Sequence, residues 1–216
     1  MPALFSNLYP CRADQPLTGS DVAGTLAEHG VRVGEGTVFV DTPRVAYTQV
    51  SDAEHGRIEA DPAEFDGSIR IGEGCYVESG LNPAFHSGPV RLSSIRVNER
   101  PAGQIRIGDR VVLQGVAVVA YERVEIGDDV MFGPNVTIMD SSGHPLRGRG
   151  QAGEAERTTS SPVTIGDRAW IGAGAMILKG VTLGEDAVVG AQSVVYEDVP
   201  AGCVALGNPA RVVKQL

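Results

Sequence analysis

The chain has 216 residues and a formal net charge of −9, with 42% hydrophobic residues but only 5% aromatic ones. An acidic balance argues against a nucleic-acid partner, which needs a basic surface to release counterions, and no apolar run of about eighteen residues is present to span a bilayer. The start of the chain lacks the basic and apolar stretches of a signal peptide, so a cytoplasmic protein is expected, and Cys11, Cys75 and Cys203 are too scattered for a disulfide framework or a zinc site.

Residues 1–65 read as an irregular N-terminal part with early coils and a cap; Val33-Gly34 followed by Thr37 is a first fragment of a six-residue pattern. Ile71-Gly72 with Cys75 and Val77 is a second. From Leu81 to Gly103 the chain is irregular again, either a loop over a cleft offering His86, Arg91 or Arg96, or a solvated segment. Regularity begins near Gln104. Aliphatic residues recur as Ile107, Leu113 and Val119, with Val111 and Ala117, and then as Ile126, Phe132 and Ile138, with Val130 and Val136. Between Val119 and Ile126 the step is seven, which predicts a bulge at a corner.

After Ile138 the rhythm stops at Gly143-His144-Pro145 and gives way to a polar excursion with Arg147, Arg149 and Arg157. It resumes at Ile165 and continues in steps of six through Ile171, Ile177, Leu183, Val189 and Val195. Ala169, Ala175, Val181, Ala187, Ser193 and Val199 follow four residues behind, and Gly166, Gly172, Gly184 and Gly190 come directly after four of the six aliphatic residues. A period of six fits neither a helix nor a simple hairpin alternation, so the chain must turn once per repeat. Short strands joined by tight corners are predicted, glycine supplying backbone conformations that other residues resist. Successive coils would stack about 4.8 Å apart and bury one aliphatic column in an all-β chain.

The run "FGPNVTI", the Gly-His-Pro, the polar excursion and "SPVTIGDRAWIGAGAMILKGVTLG" together resemble the maltose, galactoside and polysaccharide O-acetyltransferases of the hexapeptide-repeat family. The resemblance implies a left-handed β-helix with three hexads per coil, an acyltransferase domain over 66–216 with its loop at 139–161, and a homotrimer with active sites between neighbouring chains. It implies acetyl-CoA as donor, a sugar, polysaccharide precursor or natural product as acceptor, and His144 as the general base that takes the acceptor's hydroxyl proton. Asp140 either orients that imidazole or forms a turn beside Ser141 and Ser142. The excursion from Leu146 is either a solvated loop or, by the resemblance, one that packs on the neighbouring subunit. Trp170 is placed at the cleft edge, beside His144 or the thioester arm, or packs without a role. CoA would be held by backbone groups along a groove, Ala173 and Gly190 among them, and by Arg211 and Lys214 at its phosphates.

Two departures stand out. Tyr196-Glu197 occupies the place of the Thr-Lys common in close relatives, and the acceptor coil offers Gln114 and Ala120-Tyr121 where the sugar enzymes present Asn and Asp, which argues against a simple galactoside acceptor. Asn135 and His86 complete the acceptor-side candidates, Asn135 with a bond inside its own turn as the alternative. Transfer to an amino sugar nitrogen is a second reading, and a non-catalytic β-helix scaffold a third. A trimeric zinc hydratase would need three histidines on one metal, whereas His29, His55, His86 and His144 contain no close pair in sequence; no metal is expected.

Overall fold

The computed structural model describes residues 3–11, 21–81 and 86–216. The described strands form three sheets, and as far as Val194–Val195 every third strand in chain order joins the same one. In the first, Arg44–Ser51, Arg91–Val97, Ala117–Ala120, Thr137–Met139, Met176–Ile177 and Val194–Val195 run parallel, with Leu4–Cys11 antiparallel at one edge. The second is wholly parallel and runs from Arg32–Val33 to Thr182–Leu183. The third begins at Val38–Val40 and ends in an antiparallel hairpin, Cys203–Gly207 with Ala210–Gln215. The chain therefore winds through three sheets in rotation. Thr164 faces Thr182, Trp170 faces Val188 and Met176 faces Val194, an advance of 18 residues each time.

Strands of two or three residues cannot stand alone, and the interior column holds them together. Ile165, Ile171, Ile177, Leu183, Val189 and Val195 are buried, as are the six residues that follow them at four; each large aliphatic contributes about 1.5–3 kcal/mol by leaving water. The glycines after the aliphatic residues have a different cause from the one expected. Gly166, Gly172 and Gly184 are absent from the left-handed backbone positions. A Cβ at Gly172 would lie 2.5 Å from the Ala191 nitrogen, and one at Gly184 2.4 Å from that of Ala201, so the next coil approaches too closely for any side chain. The left-handed positions come two residues later, at Arg110, Asp129, Arg168 and Asp186, with φ between 56° and 58°, and at glycines such as Gly74 and Gly174, with φ 61° and 67°. There the preceding aspartates tie coil to coil: Asp109 accepts from the Glu73 N–H at 2.8 Å, Asp128 from Asp109 at 2.8 Å and Asp167 from Asp128 at 2.9 Å.

Three expectations need correction. First, Val119 is not in the column: Val116, Val118 and Ala120 point inward, and Val119 faces out. Gly115, at φ 58°, shortens one corner by a residue and the corner at Tyr121-Glu122 is longer to match, and a slip of one residue exchanges the two faces of a strand. Second, Leu81–Gly103 is not irregular throughout, because Arg91–Val97 is a full member of the first sheet; Asn82–Phe85 lie outside the described residues. Third, the N-terminal part carries ordered elements. Asp21–Glu28 is a helix whose Val22 and Leu26 are buried, and Tyr47 stacks on Phe65 with ring centroids 4.9 Å apart, whereas the coils do start at Arg32–Val33, at the first fragment of the pattern. The spacing of Val22 and Leu26, one helical turn apart, was the available signal.

Candidate functional site

The excursion after Thr137–Met139 has a closed neck: Ser141 and Ser160 form an antiparallel bridge, and the Ser161 N–H donates to the Asp140 carbonyl at 2.8 Å. Its base packs on its own chain. Ala155 packs with Val50, Ile95 and Val97, and the N–H groups of Ala155 and Glu156 each donate to the Asp52 carboxylate at 2.9 Å. The tip projects, with Leu146 91% exposed.

His144 stands at the start of this loop with its side chain 59% exposed, and its Nδ1 lies 3.0 Å from Oε1 of Glu154, whose side chain is only 7% exposed. The second oxygen of Glu154 accepts the Gly150 N–H at 2.6 Å. That N–H, and then the imidazole, hold the Glu154 carboxyl below its usual range. The loop thus carries its own carboxylate–imidazole pair, with Nδ1 engaged and Nε2 without a hydrogen-bond partner among the described residues. Such a pair favours the tautomer with the proton on Nδ1 and leaves Nε2 able to accept another.

Asp140 does not orient His144. Its carboxylate is fully buried and accepts three backbone N–H groups at 2.7 Å each, Tyr121 on one oxygen and Glu122 and Arg123 on the other. Burial pushes this carboxyl above its usual value while the three donors pull it back. The long corner inferred from the seven-residue step is folded around this group. Glu154 was missed because it sits in a loop without periodicity, ten residues from its partner.

The other candidates gather elsewhere on the surface. Gln114, Trp170, Ala173 and Gly190 line one groove of about 500 Å³ on the third sheet, with Met131 and Leu206 as further walls. Trp170 is 56% exposed and is paired with Met131 and Val188, not with His144 of the same chain. Asn135 and His86 meet at the neighbouring corner, where the Asn135 side-chain amide donates to the His86 carbonyl; the Asn135 N–H donates to the Gln114 carbonyl at 3.2 Å. The His86 contact is through its backbone. Arg91 lies in a strand, and Arg96 is spent inside the fold on Glu64, Gln49 and the Asn98 carbonyl.

Arg211 faces Leu206, at the lip of the groove, but is not free. Its guanidinium lies 5.4 Å from the centre of the Tyr196 ring, donates to the Tyr196 hydroxyl at 3.0 Å and stands 3.5 Å from Glu197. The Tyr196-Glu197 departure thus acts on the very arginine expected at the phosphates. Lys214 faces Val204 on the same hairpin and is exposed. Among the described residues no group of three or more His, Cys, Asp or Glu is arranged to hold a metal ion, and no helix is long and apolar enough to cross a membrane.

Residues 162–197 match the family model described as bacterial transferase hexapeptide (six repeats). The galactoside O-acetyltransferase of Escherichia coli (strain K12) is 42% identical over 105 residues, covering 47% of this chain and 48% of that protein. The 2,3,4,5-tetrahydropyridine-2,6-dicarboxylate N-acetyltransferase of Staphylococcus carnosus (strain TM300) is 56% identical over 64 residues, 30% of this chain and 27% of that one. A galactoside acetyltransferase solved in complex with coenzyme A superposes with a TM-score of 0.52 at 26% identity, over 92% of this chain and 73% of that one. The chain spans about half the length of the first curated relatives it matches. Repeat, sheet rotation and matches agree, and the chain is similar to the hexapeptide-repeat acetyltransferases.

Proposed function

We propose that the protein is a CoA-dependent acetyltransferase that moves an acetyl group from acetyl-CoA to a hydroxyl of a sugar, polysaccharide precursor or natural-product acceptor. The observation that carries this reading is the exposed His144 imidazole with its Nδ1 held 3.0 Å from the buried carboxylate of Glu154. An alcohol attacks a thioester poorly unless a positioned base takes its proton in the transition state. In this reading His144 Nε2 accepts that proton as the acceptor oxygen bonds to the acetyl carbon; Glu154 stabilises the imidazolium. The C–S bond then breaks, and the proton passes from Nε2 to the departing thiolate. The donor's apolar arm fits the groove walled by Trp170 and Met131, along backbone of Ala173 and Gly190, with Arg211 and Lys214 towards its phosphates. For Arg211 to reach a phosphate it must share its charge with Glu197.

The assembly proposed is a homotrimer of left-handed prisms. Val38, Tyr76, Val112, Met131, Trp170, Val188 and Val204 are in mutual register and face outward along the third sheet, an apolar stripe as long as the solenoid. Contiguous exposed apolar surface of this extent marks an interface. A second copy on this face would bring a donor groove and a His144 loop together, which one chain does not do. The acceptor-side residues are Gln114, Asn135 and His86. The N-acetyltransferase relative favours one second reading, an amine acceptor. Mass-detected acetyl transfer against a matched panel of hydroxylated and aminated saccharides separates the two: O-acetyl products support the first, N-acetyl products alone the second, and hydrolysis without transfer neither.

A further inference from the structure

Among the described residues, the side chain farthest in sequence that hydrogen-bonds to the loop is Asp52. It follows the strand Arg44–Ser51 and is 1% exposed. One carboxylate oxygen accepts the Ala155 N–H and the other the Glu156 N–H, at 2.9 Å each. Asn98 closes the arrangement: its side-chain oxygen accepts the Asp52 N–H at 2.9 Å, and its amide nitrogen donates to Glu156 at 3.1 Å and stands 3.4 Å from Asp52. Glu156 also pairs with Arg100. The two N–H groups that Asp52 holds belong to the residues directly after Glu154. A carboxylate on two successive backbone donors fixes the chain there in both position and direction, because both bonds must be met at once. Burial leaves no water to replace it. The remaining charged neighbours are His55, which favours the ionised carboxylate, and Glu156 itself, whose charge is met by Arg100.

We infer that Asp52 is a positioning residue for the His144 site: it clamps the turn at Ala155 and Glu156 and thereby sets Glu154 against the imidazole. The inference rests on the reading of His144 as the base, but the placement of the ring is testable apart from turnover. It also gives the N-terminal part of the chain a task in the reaction. Without the clamp the loop keeps its neck at Ser141 and Ser160, while the Glu154 carboxylate loses its fixed place.

The test is ring ¹⁵N NMR of histidine-labelled protein, with the His144 signals assigned by their loss in His144→Ala. Ring nitrogen shifts report which nitrogen carries the proton. In wild type the neutral ring is expected to hold it on Nδ1. Glu154→Gln and Asp52→Asn should each abolish that preference, although Asp52 does not touch the ring, and the double variant should lose nothing more. Turnover of Asp52→Asn should fall about 10- to 100-fold, as misplacement of a catalytic group by about 1 Å can cost, with the Michaelis constant for acetyl-CoA unchanged. Should Asp52→Asn not fold, Ala155→Pro removes one donor from the loop side and is expected to give the same ring signature. A folded variant of either kind with an unchanged His144 tautomer overturns the inference. If the tautomer is lost while turnover stays at wild type, the clamp stands and the general-base reading falls.

Discussion

Removal of the Asp140 carboxylate should unfold the protein more readily, with its effect on catalysis following from that. The group is fully buried and satisfies three backbone N–H groups at the corner Tyr121–Arg123. A hydrogen bond to a charged group is worth about 1.5–3 kcal/mol net, and a buried donor left unpaired costs about 1–3 kcal/mol. The three bonds share one anion and do not add, so Asp140→Ala is expected to lose about 3–5 kcal/mol, in the range of a broken buried polar network. Asp140→Asn keeps one carbonyl for Glu122 and Arg123 but turns an amide towards the Tyr121 N–H, and about 2 kcal/mol should go. With a urea m-value of about 2–3 kcal/mol/M, the unfolding midpoint of the alanine variant falls by about 1–2 M, measured at fixed protein concentration because assembly adds to stability. A midpoint within about 0.3 M of wild type, together with a large loss of turnover in Asp140→Asn, would refute this reasoning and return Asp140 to the imidazole.

Glu154→Gln should lower turnover by about 10- to 10³-fold, less than loss of the base itself, with acetyl-CoA affinity unchanged by calorimetric titration. Gly172→Ala should cost about 1–3 kcal/mol, read as a lowered melting temperature, because the added methyl meets the Ala191 backbone, which cannot move aside. The loop should be the first element to loosen in acid. Burial alone would raise the Asp52 carboxyl, but the Ala155 and Glu156 N–H groups and the Asn98 amide more than offset it and hold it low, and Glu154 is held low by the Gly150 N–H and His144. A depressed carboxylate contributes stability that is complete above its unfolded value, about 4, and is lost as pH falls through the folded one. Amide exchange at Gly150, Ala155 and Glu156 should therefore rise below about pH 4, ahead of exchange in the coils; simultaneous loss everywhere would contradict it.

The solenoid was legible because its physics is local and periodic. Ile165 through Val195 keep one residue in six in a dry column, and that demand repeats until it can be read without a structure. Where the period slips, legibility fails by one residue: the seven-residue step was visible, but Val119 and Val118 exchange faces because Gly115 shortens the corner ahead of them. The glycines after each aliphatic residue were visible as a pattern and misread as to cause, since close approach of the next coil leaves the same mark as a left-handed corner. The site was half legible. His144 stands out by interrupting the repeat, whereas Glu154 and Asp52 reach it through contacts spanning 10 and 103 residues that no spacing rule encodes. Asp140, nearer in sequence to His144 than Glu154 is, is held by the corner it stabilises. Arg211 could be found as a basic residue, but its stacking on Tyr196 could not.

The most direct test of the proposed chemistry is acetyl transfer by His144→Ala to a verified acceptor, followed with a thiol-detecting reagent beside calorimetric titration of acetyl-CoA. General-base assistance is worth about 10²–10⁴-fold, so turnover should fall by about that factor while acetyl-CoA binding and the unfolding midpoint stay near wild type. His144→Ala that transfers acetyl groups at close to the wild-type rate would mean that the proton goes elsewhere and that the His144–Glu154 pair is not the catalytic centre.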